Sequence, residues 1–231
     1  MALSVKKVKT STDKNKFIKL PWKIYGDSPL WVPPLISERK KFLDPSVNPF
    51  FKDSKVDFFL VISDNQTVVG RVALIENHVF NKELPERVGF FGMFEVVNDK
   101  QASDLLLDKA EQWCREKKFS KLVGPESFTT NHECGLLVDG FDTPPVMGIP
   151  YNPRYYSDLI ESWGLEKYKD LVSLRMDFSK MPEYLETAIR RIVKRKRFKV
   201  RTFCLNKFNE ELEAIWHIYN ESWADNWGFI P

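Results

Sequence analysis

Apolar positions along this chain follow two rhythms. Residues 57–62 (DFFLVI) and 67–75 (TVVGRVALI) are dense in β-branched and aromatic side chains. They flank Ser63-Asp64-Asn65-Gln66, a turn composition, so an antiparallel hairpin is predicted. Residues 89–97 (GFFGMFEVV) are apolar on both faces, the pattern of a strand in the middle of a sheet. From residue 102 to 118 the rhythm becomes helical: Ala102, Leu106, Ala110, Trp113 and Cys114 form a stripe with Leu105 beside it. Asn98 or Asp99 caps this helix, Asp104 lies in its first turn, and Lys117 and Lys118 lie in its last. Residues 121–124 form a short strand. Nearer the start, residues 5–9 predict a strand. A helix over 11–25 carries Phe17, Leu20 and Ile24 and is interrupted by Pro21. Residues 28–35 (SPLWVPPL) are an extended, proline-rich link, and a short charged helix over 36–43 stops before Asp44-Pro45.

Residues 151–177 read as turn, helix, glycine stop and strand. Asn152 and Pro153 open the unit, and Tyr155, Tyr156, Leu159, Ile160 and Trp163 supply the helical stripe. Gly164 ends the helix, where only glycine takes a left-handed conformation cheaply, and residues 165–177 return as a strand. The order over 5–177 is therefore β, α, α, β-hairpin, β, α, β, α, β. A further unit follows: a helix over 181–197 with Pro182 in its first turn, a strand over 200–205, and an amphipathic helix over 209–223. The last carries Leu212, Ile215, Trp216, Tyr219 and Trp223 on one face. A lone strand and helix cannot close a core of their own, so this unit is expected to pack on the first domain or on another chain. The expected division is 1–178 and 179–231.

Composition narrows the class. Of 231 residues 43% are hydrophobic and 29% charged, as in soluble globular proteins. The 18 Phe and 7 Trp suggest a deep core or an apolar groove. No apolar run approaches the length of a membrane-spanning helix, and residues 1–10 hold no apolar signal core. Cys114, Cys134 and Cys204 lack metal-ligand spacing and cannot all pair, which fits a reducing, cytoplasmic setting. His78, His132 and His217 are scattered, so no metal is expected. Residues 190–201 (RRIVKRKRFKVR) hold eight basic side chains and no acid; without them the net charge of +3 would be −5. Such a segment suits anionic lipid, nucleic acid or a phosphorylated cofactor, or is simply a solvated helix end whose cations complement its dipole. No aromatic interleaving argues for base stacking, so no specific nucleic acid is expected.

The element order, and the helix–strand unit over 151–177, resemble the GNAT (Gcn5-related N-acetyltransferase) fold. Whole phrases are more specific: WVPPLISERKKFLDP, NPFF, RVGFFGMFE, TTNHECGLLVDGFDTPPVMGIPYNPRYY and ESWADNWGF resemble bacterial tandem GNAT-like proteins called YghO-like. The resemblance implies an α/β fold, a GNAT-like mixed, mainly antiparallel twisted sheet flanked by helices. It implies a transferase that moves an acyl group from acyl-CoA or acetyl-CoA to an amine. Relatives connected with bacterial sphingolipid synthesis imply a lipid amine. It further implies that 179–231 is a linker helix and the start of a second, incomplete GNAT-like domain. A homodimer and a peripheral membrane contact remain open as partner arrangements.

In that fold an amine attacks the thioester directly. Backbone amides at a bulge in the central strand polarise the carbonyl, a helix N-terminus holds the pyrophosphate, a base takes the amine proton and an acid, often Tyr, protonates the thiolate. Gly92, Met93 and Phe94 are the polarising positions by this resemblance; a glycine there also simply lets a neighbour pack. The phosphate motif, Arg/Gln-x-x-Gly-x-Gly/Ala, falls on residues 97–102 (VNDKQA), where only Ala102 matches. Asp99 brings negative charge that Lys100 partly offsets. Asn152 opens the helix that packs beside the cofactor. The family's Tyr position is occupied by Ile160; Tyr155 and Tyr156 lie a turn earlier, as substitutes for the acid or as packing residues. The cluster at 129–134 (TTNHEC) offers Glu133 as base, His132 as relay and Asn131 as clamp, with Cys134 as an unneeded nucleophile. Glu133 is otherwise a loop carboxylate pairing with an Arg. Glu95, on the central strand, is the second base candidate or a solvent-facing carboxylate. Beside acyl transfer stand two rivals: a non-catalytic GNAT-like binding or scaffold domain, and an anionic-surface binder acting through 190–201.

Overall fold

A computed structural model describes residues 2–82, 86–174, 177, 179, 181–195 and 201–229. The chain divides into two compact units, one reaching to Tyr168 and the other spanning Lys169–Phe229.

The first unit is built on a five-stranded sheet in simple sequence order: β1 (Leu3–Lys7), β2 (Ser54–Ser63), β3 (Val68–Asn77), β4 (Val88–Val96) and β5 (Lys121–Val123). The first three pairings are antiparallel; β5 runs parallel to β4 and pairs over only three positions, Val88↔Lys121 to Phe90↔Val123. The β2–β3 hairpin forms around Ser63–Thr67, where Ser63 N–H donates to Thr67 O at 3.0 Å. Helices α1 (Ser11–Tyr25) and α2 (Ile36–Phe42) lie on one face and α4 (Lys100–Lys117) and α5 (Tyr155–Trp163) on the other, with α3 (His78–Lys82) joining β3 to β4. Phe17, Ile18, Leu43, Ala73, Ile75 and Phe90 fill the first layer. Leu74, Phe91, Val96, Leu106, Trp113 and Ile160 fill the second. Alternate residues of β3 and β4 therefore enter opposite cores, as the doubly apolar pattern required.

Two expectations need correction in this unit. Helix α1 is not interrupted at Pro21; it continues to Tyr25 with Pro21 buried inside it. Proline removes the hydrogen bond to the carbonyl four residues earlier, here Phe17 O, and Arg71 Nη1 on β3 donates to that oxygen at 2.6 Å. The freed acceptor is thus satisfied by tertiary structure. The strand expected over 165–177 does not form: described residues 165–174 are irregular and mostly exposed. A strand there would need a long neighbouring edge, and β5 spans only three residues.

In the second unit α6 (Glu183–Lys194) follows Pro182, and α7 (Phe208–Trp223) follows a short 3-10 turn at Leu205–Lys207. The strand expected over 200–205 is absent from its described residues, where no partner strand offers a ladder. Part of the basic segment, residues 196–200, lies outside the described residues. Ile189, Ile192 and Val193 of α6 and Leu212, Ile215 and Trp216 of α7 are exposed. Among the described residues no helix is long and apolar enough to cross a membrane.

Candidate active site

The central strand β4 breaks its register with β3 at residues 92–95. Ala73 pairs with Gly92 and Arg71 with Glu95, so two residues, Met93 and Phe94, oppose the single Val72. Met93 takes a left-handed φ of 48°. This β-bulge rotates the strand: Phe94 enters the α4 side, while Met93 stays on the α1 side. It occurs just past Phe90↔Val123, the last pairing with β5. Beyond that point β4 loses its neighbour, and the chain fills the edge differently. Glu126 N–H donates to Phe91 O at 2.8 Å, and a Cβ on Gly92 would lie 1.8 Å from the Glu126 carbonyl oxygen. Only glycine allows this approach. Further along, Val97 N–H returns to Val69 O, so Val96 faces the open edge. There Val96 N–H donates to the Tyr156 hydroxyl and Val96 O accepts from the Tyr155 hydroxyl, both at 2.9 Å. Two side chains of α5 stand in for the missing strand.

Tyr156 leads to the most concentrated chemistry of the molecule. Its ring is packed among the α4-side core residues, 1% exposed, yet its hydroxyl also donates to Glu95 Oε2 at 2.8 Å. From α1, the Tyr25 hydroxyl donates to the same oxygen at 2.6 Å. The guanidinium of Arg71 lies 3.5 Å from Glu95 Oε1 and over the Phe17 ring. Glu95 is therefore no solvent-facing carboxylate; its side chain is 13% exposed and has three polar partners. Burial raises its pKa, while Arg71 and the two hydroxyls hold it back. Both tyrosines are pushed well up by burial and by the Glu95 charge, so their hydroxyls remain protonated donors. Of the residues singled out in the sequence, the structure unites Glu95 and Tyr156 next to the Gly92–Met93–Phe94 bulge. Sequence reading missed Tyr25 and Arg71. An arginine inside an apolar strand, TVVGRVALI, was the available signal, because a buried cation demands a partner.

The 129–134 cluster stands apart. Glu133 is bound to Arg39 of α2 at 2.6 Å and its side chain is 41% exposed, the loop ion pair its position allowed. His132 is exposed, its Nδ1 lies 2.9 Å from Thr129 Oγ1, and partial burial of the ring depresses its pKa. Asn131 is exposed, and its N–H donates to Thr129 Oγ1. Cys134 bridges to Glu126, and its thiol is pushed up to about 12 by burial and that carboxylate, leaving it unreactive at neutral pH. Asn152 is buried and spent on backbone: it accepts from Leu137 N–H at 2.7 Å and donates to Leu137 O and Pro153 O. At the start of α4, Asp99 Oδ1 accepts from Ala102 N–H at 3.1 Å, and Lys100 is bound to Asp104 at 2.7 Å. Among the described residues no group of three or more His, Cys, Asp or Glu is placed to hold a metal.

Comparison with known proteins places this chain among described relatives. It is 33% identical over 231 residues to the bacterial ceramide synthase of Caulobacter vibrioides, covering 99% of this chain and 60% of that protein. It is 33% identical over 229 residues to protein YghO of Escherichia coli, covering 97% and 58%. The chain thus spans about three-fifths of the length of these curated relatives. No family model matches. Similar solved structures include a putative acetyl transferase from Pyrococcus furiosus, with TM-score 0.44, 13% identity and coverage of 76% of this chain and 100% of that one. Another is glucosamine-6-phosphate N-acetyltransferase from Arabidopsis thaliana, with TM-score 0.46, 10% identity and coverage of 77% and 100%.

Proposed function

We propose that this chain, which is similar to protein YghO and to a bacterial ceramide synthase and carries a GNAT-like sheet flanked by helices, serves acyl transfer from a thioester to an amine, with Glu95 as the base. The observation that carries this reading is the Glu95 carboxylate, held by Tyr25 and Tyr156 two residues beyond the Met93 bulge. A base must lie within hydrogen-bond reach of the proton it takes. Glu95 Oε1, next to Arg71 and not engaged by either tyrosine, is the oxygen offered to an incoming amine. The two hydroxyls fix the carboxylate through Oε2, and Arg71 opposes the rise in its pKa that burial causes. The proton passes from the amine nitrogen to Glu95, and the nitrogen lone pair becomes free to attack. Tyr156, hydrogen-bonded to Val96 N–H and Glu95 at once, positions that base relative to the strand.

Acyl-CoA is the donor the fold implies, and when bound it supplies the activated acyl group. At the acyl end the residues fit: a bulge with a left-handed residue and a glycine that admits close backbone approach suit a polarised carbonyl. At the pyrophosphate end they do not fit, since the α4 N-terminus is capped by its own carboxylate. No step is therefore assigned to the phosphates.

For the acceptor we favour a lipid amine, supported by the Caulobacter relative being a ceramide synthase. A peripheral membrane contact is supported by α6, where Leu185, Ile189 and Ile192 share one face and Arg190, Arg191 and Lys194 lie outside it. The test of the acyl-transfer reading is Glu95→Gln. With an acyl-CoA and a long-chain amine, thiol release should fall by at least about a hundredfold while the far-UV spectrum is kept. Undiminished turnover in that variant would eliminate Glu95 as the base and favour the scaffold reading of this domain.

A further inference from the structure

A helix N-terminus binds phosphate through unpaired N–H groups and the positive end of its dipole. In α4 the positive end of the dipole faces a carboxylate, and one of these N–H groups is already engaged. Asp99 Oδ1 accepts from Ala102 N–H, and the one cation of this turn, Lys100, is bound to both oxygens of Asp104 at 2.7 and 2.8 Å. A carboxylate thus stands where a pyrophosphate would, and Val97–Ala102 presents no free positive charge against it. The route along the strand from the bulge to α4 is also occupied. A pantetheine arm leading from the bulge to α4 would follow the open edge of β4. At Val96 both backbone groups on that edge are taken, by the Tyr156 and Tyr155 hydroxyls. Tyr156 is fully packed there and stacks edge-on against Phe94 and Tyr155, so it does not swing aside as an exposed side chain would.

We infer that this domain takes its acyl donor by the thioester end alone, and that the nucleotide of CoA contributes no recognition at α4. The ligand class follows: acyl thioesters lacking adenosine pyrophosphate, such as an acyl-pantetheine, should bind as well as the corresponding acyl-CoA. This rests on the acyl-transfer reading above. Calorimetric titration of the whole chain with decanoyl-CoA, decanoyl-pantetheine and 3′,5′-ADP tests it without any turnover. The expected result is the same affinity for the two thioesters within about threefold, and no competition by 3′,5′-ADP. Asp99→Gly, which keeps an acceptable N-cap residue while removing the charge, should leave both affinities unchanged within about threefold; a gain of about tenfold confined to decanoyl-CoA would show that the nucleotide reaches α4 and overturn the inference. Wild-type binding of decanoyl-CoA roughly tenfold or more tighter than decanoyl-pantetheine, displaced by 3′,5′-ADP, would overturn the inference and leave the acyl-transfer reading standing. If neither thioester binds the folded chain, the donor site itself is refuted and both readings fall.

Discussion

Glu126 offers a direct test of how this domain is held together. Its residue is 4% exposed, its N–H extends the ladder of β4, and its carbonyl presses on Gly92. Burial alone pushes its carboxyl from 4.5 up to about 7. Between those two values the native chain keeps a proton that the unfolded chain has released. The stability linked to this group is therefore complete below pH 4.5 and is lost as pH rises through 7. At 1.36 kcal/mol per pH unit, the loss between pH 5 and pH 8 is about 2.5 kcal/mol. Glu126→Gln keeps the shape and removes the titration. Urea unfolding followed by circular dichroism at both pH values measures the difference. The variant should gain about 2.5 kcal/mol on wild type between pH 5 and pH 8, all other ionisable groups being shared. Identical pH slopes for the two proteins would show that Glu126 ionises as an ordinary exposed carboxylate, and the packing argument at Gly92 would lose its support.

The remaining predictions follow from the same geometry. Gly92→Ala drives a Cβ against the Glu126 carbonyl and should cost about 3 kcal/mol or more, read as a lowered unfolding midpoint; unchanged stability would mean the two segments separate freely. Arg71→Met leaves Phe17 O without its donor and Glu95 without its cation, an expected cost of about 3 kcal/mol in the same assay. Tyr156→Phe strands Val96 N–H and should cost about 1–3 kcal/mol, with turnover falling well beyond what Glu133→Ala causes; equal loss in both would return the base to the 129–134 loop. Ile189→Asp combined with Ile192→Asp should abolish sedimentation with vesicles containing phosphatidylserine. Binding that persists in the double variant, or wild-type binding that is equal on phosphatidylcholine, would remove α6 from any membrane contact.

The local code of this chain was strong where one rhythm could be satisfied by neighbours in sequence. The alternation of DFFLVI and TVVGRVALI around a four-residue turn required the β2–β3 hairpin. The stripe from Ala102 to Cys114, with Asp99 before it, required α4 and its cap. The GFFGMFEVV run placed β4 between two cores, and the glycine within it marked the bulge. A strand also needs a free edge and cover from water, which propensity cannot report. For that reason residues 165–174 did not join a sheet whose last strand is three residues long. Pro21 looked like an interruption because its lost hydrogen bond is local, whereas the arginine that replaces it comes from 54 residues away. The site followed the same rule. Glu133 drew attention through its polar neighbours in sequence, but a loop carboxylate bound to a half-buried arginine remains an ion pair. What distinguishes Glu95 is burial between hydroxyls 70 and 61 residues distant. A carboxylate's proton affinity depends on desolvation and on charges within a few ångströms, and only the packing of α1 and α5 against the broken edge of β4 brings those together.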